Sequence, residues 1–331
     1  MPGTIRNTAA LPLSTLVLLF AAGCSQHKGT ETFFLIANNL KLPYWQTLSN
    51  GFNKAATEYG VKVQIAGPDT YDAQAELAEF RNAVAKHPAG ILISVADAAL
   101  FRSEINDAVS AGVPVVTVDS DAPTSQRLYF IGTDNLEAGH LGGQRLVDKL
   151  KGKGNVVFFS IPGQPNLEER LRGYKDILAD HPAIKIVDVL NVKGDSNLAF
   201  DQARNYVDKT GTDKINAFVA LESAAAPAIA DVVHRSADPG RTVIGMDVSP
   251  DTLKLIKSGG LDATISQKPW TMGYIGLKEL DEIHHHKPDN FQTNYQVDSF
   301  SRYPSFVDTG TTLVNSDNVD MFLESERKAE Q

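Results

Sequence analysis

From residue 33 onward the chain alternates between two patterns, and that alternation limits the folds open to it. Short apolar runs rich in Val, Ile and Phe fall at 33–37, 61–66, 90–94, 115–118, 156–160, 184–190, 217–221, 243–246 and 263–265. Amphipathic stretches lie between them, at 45–59, 73–86, 100–111, 136–150, 168–179, 198–209 and 225–236. Runs of that length predict strands buried on both faces, and the longer stretches predict helices. Strand–helix alternation of this kind makes an α/β fold, with parallel sheets covered by helices on both sides.

The pattern also repeats. Gly90-Ile91-Leu92-Ile93-Ser94 is echoed by Ala217-Phe218-Val219-Ala220-Leu221-Glu222, and Val115-Val116-Thr117-Val118-Asp119 by Val243-Ile244-Gly245-Met246-Asp247. Ser94 and Glu222 stand 128 residues apart, as do Asp119 and Asp247. A chain of 331 residues fits about two domains. Two similar Rossmann-like lobes are therefore expected. No Pro/Gly/Ser-rich linker separates them, so the chain should cross near Thr133, Lys268 and Asp308, forming a multi-strand hinge.

Composition narrows the partners. With 31 basic against 40 acidic side chains the formal charge is −9, a poor match for nucleic acid, whose phosphates need clustered Lys and Arg. A single cysteine excludes an internal disulfide and a Cys-rich zinc site. That cysteine follows a targeting segment. Residues 1–23 carry Arg6, then an apolar stretch over 9–22 that is short for a spanning helix and suits a signal peptide. Ala21-Ala22-Gly23-Cys24 resembles the bacterial lipobox, with Ala21 where that motif usually has Leu. The resemblance implies lipidation at Cys24, a polar tether over 24–30 and a membrane-anchored exported chain, in the periplasm or at the cell surface.

In open α/β sheets, ligands bind beyond the carboxyl ends of the strands. Those places hold Asn38, Asn39, Tyr44 and Trp45, then Ser94 with Asp97, then Asp119. In the second half they hold Gln164, Asn166 and Arg170, then Asp195-Ser196-Asn197, Glu222, Asp247 and Gln267. Asp, Asn and Ser are also common there as helix caps and turn formers. The set as a whole suits a sugar, whose hydroxyls pair with carboxylates and whose C–H faces pack on flat rings.

These motifs resemble the periplasmic sugar-binding proteins of ABC importers, the ribose-binding-like type, over essentially all of residues 31–320. The most specific pieces are 115–123, 132–139, 169–174, 243–247 and 263–267. The resemblance implies a type I periplasmic binding protein fold. Its lobes would be 31–133 with 268–307 and 134–267 with 308–331. It places Tyr44 and Trp45 as the aromatic pair on the sugar, Asp119, Asp247 and Gln267 as hydroxyl partners, and Arg170 or Arg172 as the binding arginine. Ser94, Glu222 and Ser196 stand where the family more often has Asn, Asn or Asp, and a third aromatic. It further implies a monomer that closes on a monosaccharide or polyol and delivers it to a permease, with no cofactor.

Rival classes leave weaker traces. No P-loop, Gly-x-Ser-x-Gly elbow or His-Glu-x-x-His motif is present, although Asp119 and Asp247 could in principle serve a glycosidase. A sugar-responsive repressor would carry a helix-turn-helix ahead of this core, where the targeting segment stands. A sensor handing its signal to a membrane chemoreceptor or kinase would use the same cleft. His284-His285-His286 point in different directions on a helix and are expected at a solvated helix end without a metal.

Overall fold

The computed structural model describes residues 29–287, 297–298, 300–301 and 303–329, together with Gly3. Gly3 apart, the segment expected to be a signal peptide lies outside these residues, as does Cys24. Among the described residues no helix is long and apolar enough to cross a membrane.

The chain begins with β1 (Thr32–Ile36), α1 (Pro43–Tyr59), β2 (Lys62–Ala66), α2 (Ala73–Val84), β3 (Gly90–Ile93) and α3 (Ala98–Ser110). It continues with β4 (Val115–Val118), β5 (Phe130–Gly132), α4 (Asn135–Leu150), β6 (Gly154–Ser160), α5 (Pro165–Ala179), β7 (Ile184–Asn191) and α6 (Ser196–Val207). Next come β8 (Ala217–Ala220), α7 (Ala225–Arg235), β9 (Thr242–Met246), α8 (Pro250–Ser258), β10 (Ala263–Ser266) and α9 (Pro269–His285). β11 (Phe306–Asp308), β12 (Thr312–Asn315) and α10 (Val319–Ala329) close it.

Two six-stranded sheets result, ordered β2-β1-β3-β4-β5-β11 and β7-β6-β8-β9-β10-β12. Strand for strand the orders correspond, as the internal repeat requires. All the pairings are parallel except β10 with β12. The inner strands β3, β4, β8 and β10 are buried throughout, whereas the edge strand β2 alternates exposed and half-buried positions. Helices cover both faces of each sheet. On the first sheet Phe33, Leu35, Val116 and Val118 meet one helix layer, and Phe34, Ile36, Ile91 and Ile93 meet the other. Each such side chain contributes about 1.5–3 kcal/mol by leaving water.

Several polar residues beyond the strands are caps. Asp97 accepts from the backbone N–H of Ala99 and Leu100, and Asp195 from Asn197 and Leu198. These satisfy orphan donors at the starts of α3 and α6.

The chain crosses between the sheets at three places: from β5 into α4, from β10 into α9, and from β11 into β12. Asp308 belongs to β11 on the first sheet, one residue past the division expected from sequence. The crossings are laced together. Thr309 Oγ1 donates to the Gly132 carbonyl (3.0 Å), Thr311 Oγ1 to the Ser266 carbonyl (2.9 Å), and Thr133 Oγ1 to Gln267 Oε1 (2.8 Å).

Candidate ligand cleft

The carboxyl ends of both sheets face one cleft. It contains about 460 Å³ of space, counting solvent at its mouth, and is lined by residues of both halves. Tyr44 and Trp45 reach it from the first turn of α1, which Pro43 opens with its preset φ. Their rings meet edge to face, with centroids 5.3 Å apart.

Asp119 and Asp247 enter at corresponding points, just after β4 and β9. Both take a left-handed backbone, at φ 63° and φ 68°. A carboxylate-bearing residue tolerates that region better than most non-glycine residues, and the turn swings each side chain into the cleft. Asp119 Oδ1 accepts from the Tyr44 hydroxyl (2.8 Å), and Oδ2 from Ser94 Oγ (3.2 Å) and Asn166 Nδ2 (3.4 Å). The Asn166 bond spans the cleft, because Asn166 starts α5 on the other half. Asp247 Oδ1 accepts from Gln267 Nε2 (2.7 Å), and Glu222 Oε2 from the Ala224 N–H (2.7 Å).

Arg170 stands behind this wall, 3% exposed. Its Nε donates to Asn135 Oδ1, Nη1 to the Leu221 carbonyl, and Nη2 to Gln267 Oε1 (3.1 Å). Gln267 therefore joins the hinge hydroxyl of Thr133, the guanidinium of Arg170 and the carboxylate of Asp247. Arg172 is exposed and paired with Glu169, so the fold selects Arg170 as the inward arginine.

Three carboxylates share one buried cation, and burial dominates their acidity. Desolvation pushes Glu222 up to about 7 and Asp247 up to about 6, and raises Asp119; the Arg170 charge opposes all three shifts. Burial, then the Asp119 charge, raises the Tyr44 phenol well above its ordinary value. Glu222 Oε1, Gln164 Oε1 and Asn39 Oδ1 are buried acceptors without a hydrogen-bond donor. A buried acceptor left unmatched destabilises by about 1–3 kcal/mol, so the cleft is complementary to a guest rich in donors.

Of the residues singled out from sequence, Tyr44, Trp45, Asp119, Glu222 and Asp247 line the cleft. Ser94, Arg170 and Gln267 stand one layer back, bonded to one another or to the lining carboxylates. Ser196 is corrected: it is exposed at the first turn of α6, outside the lining, because Asp195 caps that helix and the serine turns to solvent. Sequence reasoning did not single out Tyr71, Ile161 and Gly194, which also line the cleft. Tyr71 lies in the loop after β2 and donates to the Ala96 carbonyl (2.9 Å), a long-range contact with no local signal.

Residues 33–287 match the family described as periplasmic binding protein domain. The ribose import binding protein RbsB of Bacillus subtilis is 27% identical over 265 residues, covering 80% of this chain and 85% of that protein. The crystal structure of a sugar-binding protein of a sugar ABC transporter from Bacillus halodurans superposes with a TM-score of 0.76 at 33% identity, covering 88% of this chain and 100% of that one. A further likeness is to a structure described as the XylFII-LytSN complex, with a TM-score of 0.77, 27% identity and coverage of 87% and 98%.

Proposed function

Given that the chain belongs to the periplasmic binding protein family, we propose that it captures a monosaccharide or related polyol between two closing lobes and delivers it to an ABC importer. One observation carries this reading above others. A single cleft between the two sheets presents three carboxylates, orphaned amide and carboxylate acceptors and an aromatic pair, which is the complement of a polyhydroxylated ring. Tyr44, Trp45, Asp119, Glu222 and Asp247 would touch the guest, with Ser94, Arg170 and Gln267 positioning them. The names of the relatives, a ribose import binding protein and a sugar ABC transporter component, support the same class.

The mechanism is differential affinity. A guest held by carboxylates from both halves stabilises the closed arrangement over the open one by the contacts that only closure completes. In this reading the closing halves hold the guest and release it unaltered. A lipid on Cys24 would keep the protein beside the permease. A second reading has one observation in its favour: the likeness to XylFII, whose structure is described as a complex with LytSN. In that reading the closed form is presented to another protein instead of an importer.

Thermal shift across a panel of pentoses, hexoses, polyols and amino sugars tests the first step. A guest at a hundred times its dissociation constant adds about 2.7 kcal/mol of stability, which moves a domain of this size by several degrees. At least one sugar should produce that rise and be recovered chemically unchanged. A flat panel would refute the assignment.

A further inference from the structure

The cleft gathers more negative charge than the cation behind it balances. Asp119 enters from the first half and Glu222 and Asp247 from the second, and Arg170 is the cation whose charge acts on all three. With all three ionised, three negative charges face one positive charge. Arg170 does not relieve that surplus by contact. Its Nε, Nη1 and Nη2 donate to Asn135 Oδ1, the Leu221 carbonyl and Gln267 Oε1, none of them a carboxylate.

The three carboxylates are unequally matched. Asp119 has the Tyr44 hydroxyl, Ser94 Oγ and Asn166 Nδ2, and Asp247 Oδ1 has Gln267 Nε2. Glu222 lines the cleft and is 8% exposed, yet one of its oxygens is left over. Oε2 accepts from the Ala224 N–H at the start of α7, whereas Oε1 is buried with no donor. The unmatched amide oxygens of Asn39 and Gln164 could exchange places with their own NH₂ groups, but an ionised carboxylate has only acceptors to offer. Bonding to the start of α7 needs Oε2 alone and gives Oε1 no role.

The chemistry that fits Oε1 is a cationic donor. A hydroxyl brings one donor and two further acceptor lone pairs into a site already rich in acceptors. An ammonium brings three donors, no acceptor and a full charge, and its bonds to a carboxylate are roughly twice as strong as neutral ones. Burial pushes Glu222 up to about 7, and the Asp247 charge adds to that rise; a cation beside both reverses it. The faces of Tyr44 and Trp45 attract positive charge as well as packing against C–H groups.

We propose, on the reading of the cleft as a sugar site, that its guest is a sugar or polyol bearing a primary ammonium group. Glu222 Oε1 accepts from the ammonium, the Asp247 charge reinforces the attraction, and the hydroxyls of the guest meet the remaining acceptors. Glu222 is thus the residue that selects the amine over its neutral parent.

The test is calorimetry on the purified full-length protein at about pH 7, where a sugar amine is largely protonated. D-glucosamine, D-galactosamine and D-mannosamine are each compared with the parent hexose and the N-acetyl derivative, alongside neutral pentoses and polyols. At least one amine should bind about tenfold or more tightly than its parent and its N-acetyl form. Glu222→Gln keeps a carbonyl oxygen for the Ala224 N–H and should bring amine and parent to within about threefold of each other. A neutral sugar or polyol as the tightest guest refutes the inference and leaves the sugar reading standing. A flat response to amines and neutral sugars alike refutes both. An amine preference undiminished in Glu222→Gln removes Glu222 as its source and overturns the assignment. Should that variant fail to fold, the ratio of amine to parent in the unaltered protein decides alone.

Discussion

Asp119 and Asp247 show how far a single residue type can be argued from sequence and where structure has to finish the argument. Their 128-residue spacing in matching strands marked them as equivalent, but the left-handed turn that aims both into the cleft leaves no trace in composition. Ser196 shows the converse, since a polar residue after a strand can serve only the start of a helix. The backbone conformation also decides which variant tests the site cleanly. Asp247→Ala would add strain at φ 68° to the loss of the charge, whereas Asp247→Asn keeps a side chain that tolerates this region. For whichever sugar binds, Asp247→Asn should lower affinity by about 100-fold, since one or two charge-assisted bonds at about 1.5–3 kcal/mol each are weakened. Calorimetry would measure that loss, with Ser196→Ala as the comparison that retains full affinity. Equal affinity in both variants would remove Asp247 from the site.

At the scale of elements, the buried strands were the most legible part, because β3 and β8 are continuous runs of apolar residues and β4 and β9 are broken only by a threonine each. β5, β11 and β12 were not seen as strands, since three or four residues carry too little pattern, and their pairing depends on partners far away in the chain. α8 was missed for its brevity although Ser249 and Pro250 mark its start. The helix pairing was also invisible, yet glycines encode it. α1 meets α9 through Gly51 and Gly273: a Cβ on either would come within 2.0 Å of a carbonyl oxygen across the pair. α4 meets α5 the same way through Gly139 and Gly173, and the oxygen nearest the Gly139 position belongs to Arg170. Backbone on backbone cannot yield as a flexible side chain does. Gly273→Ala should therefore destabilise by at least about 1–3 kcal/mol and lower the melting point by several degrees in a thermal melt. Gly139→Ala should do so and also displace Arg170, weakening sugar binding. Tolerance of both changes would mean the helices are not held at this distance.

Over the whole molecule, the same burial that shapes the cleft makes closure depend on pH. In this structure, where Asn166 bonds across the cleft to Asp119, burial pushes Glu222 up to about 7 and Asp247 up to about 6 from ordinary values of 4.5 and 3.8. Opening the cleft returns both to water and toward those ordinary values. Raised pKa values mean that the closed form holds protons the open form has released. Its advantage is complete below about pH 4 and is lost as pH rises through 6 to 7. Each tenfold change in acidity corresponds to about 1.4 kcal/mol, so the unliganded protein should shift toward open by a few kcal/mol between pH 4 and pH 8. Arg170 faces both groups and reduces the effect, whereas the Asp119 charge adds to it at Asp247 and the Asp247 charge adds to it at Glu222. A bound polyol reverses the trend by donating hydroxyls to the ionised oxygens, including Glu222 Oε1, so the liganded protein should stay closed at pH 8. Small-angle scattering can read this directly as a radius of gyration that grows from pH 5 to pH 8 without sugar and stays small with it. Glu222→Gln combined with Asp247→Asn removes both titrations and should leave the unliganded radius independent of pH. A growth that survives in that double variant would show that other groups, and not the cleft carboxylates, set the balance between open and closed.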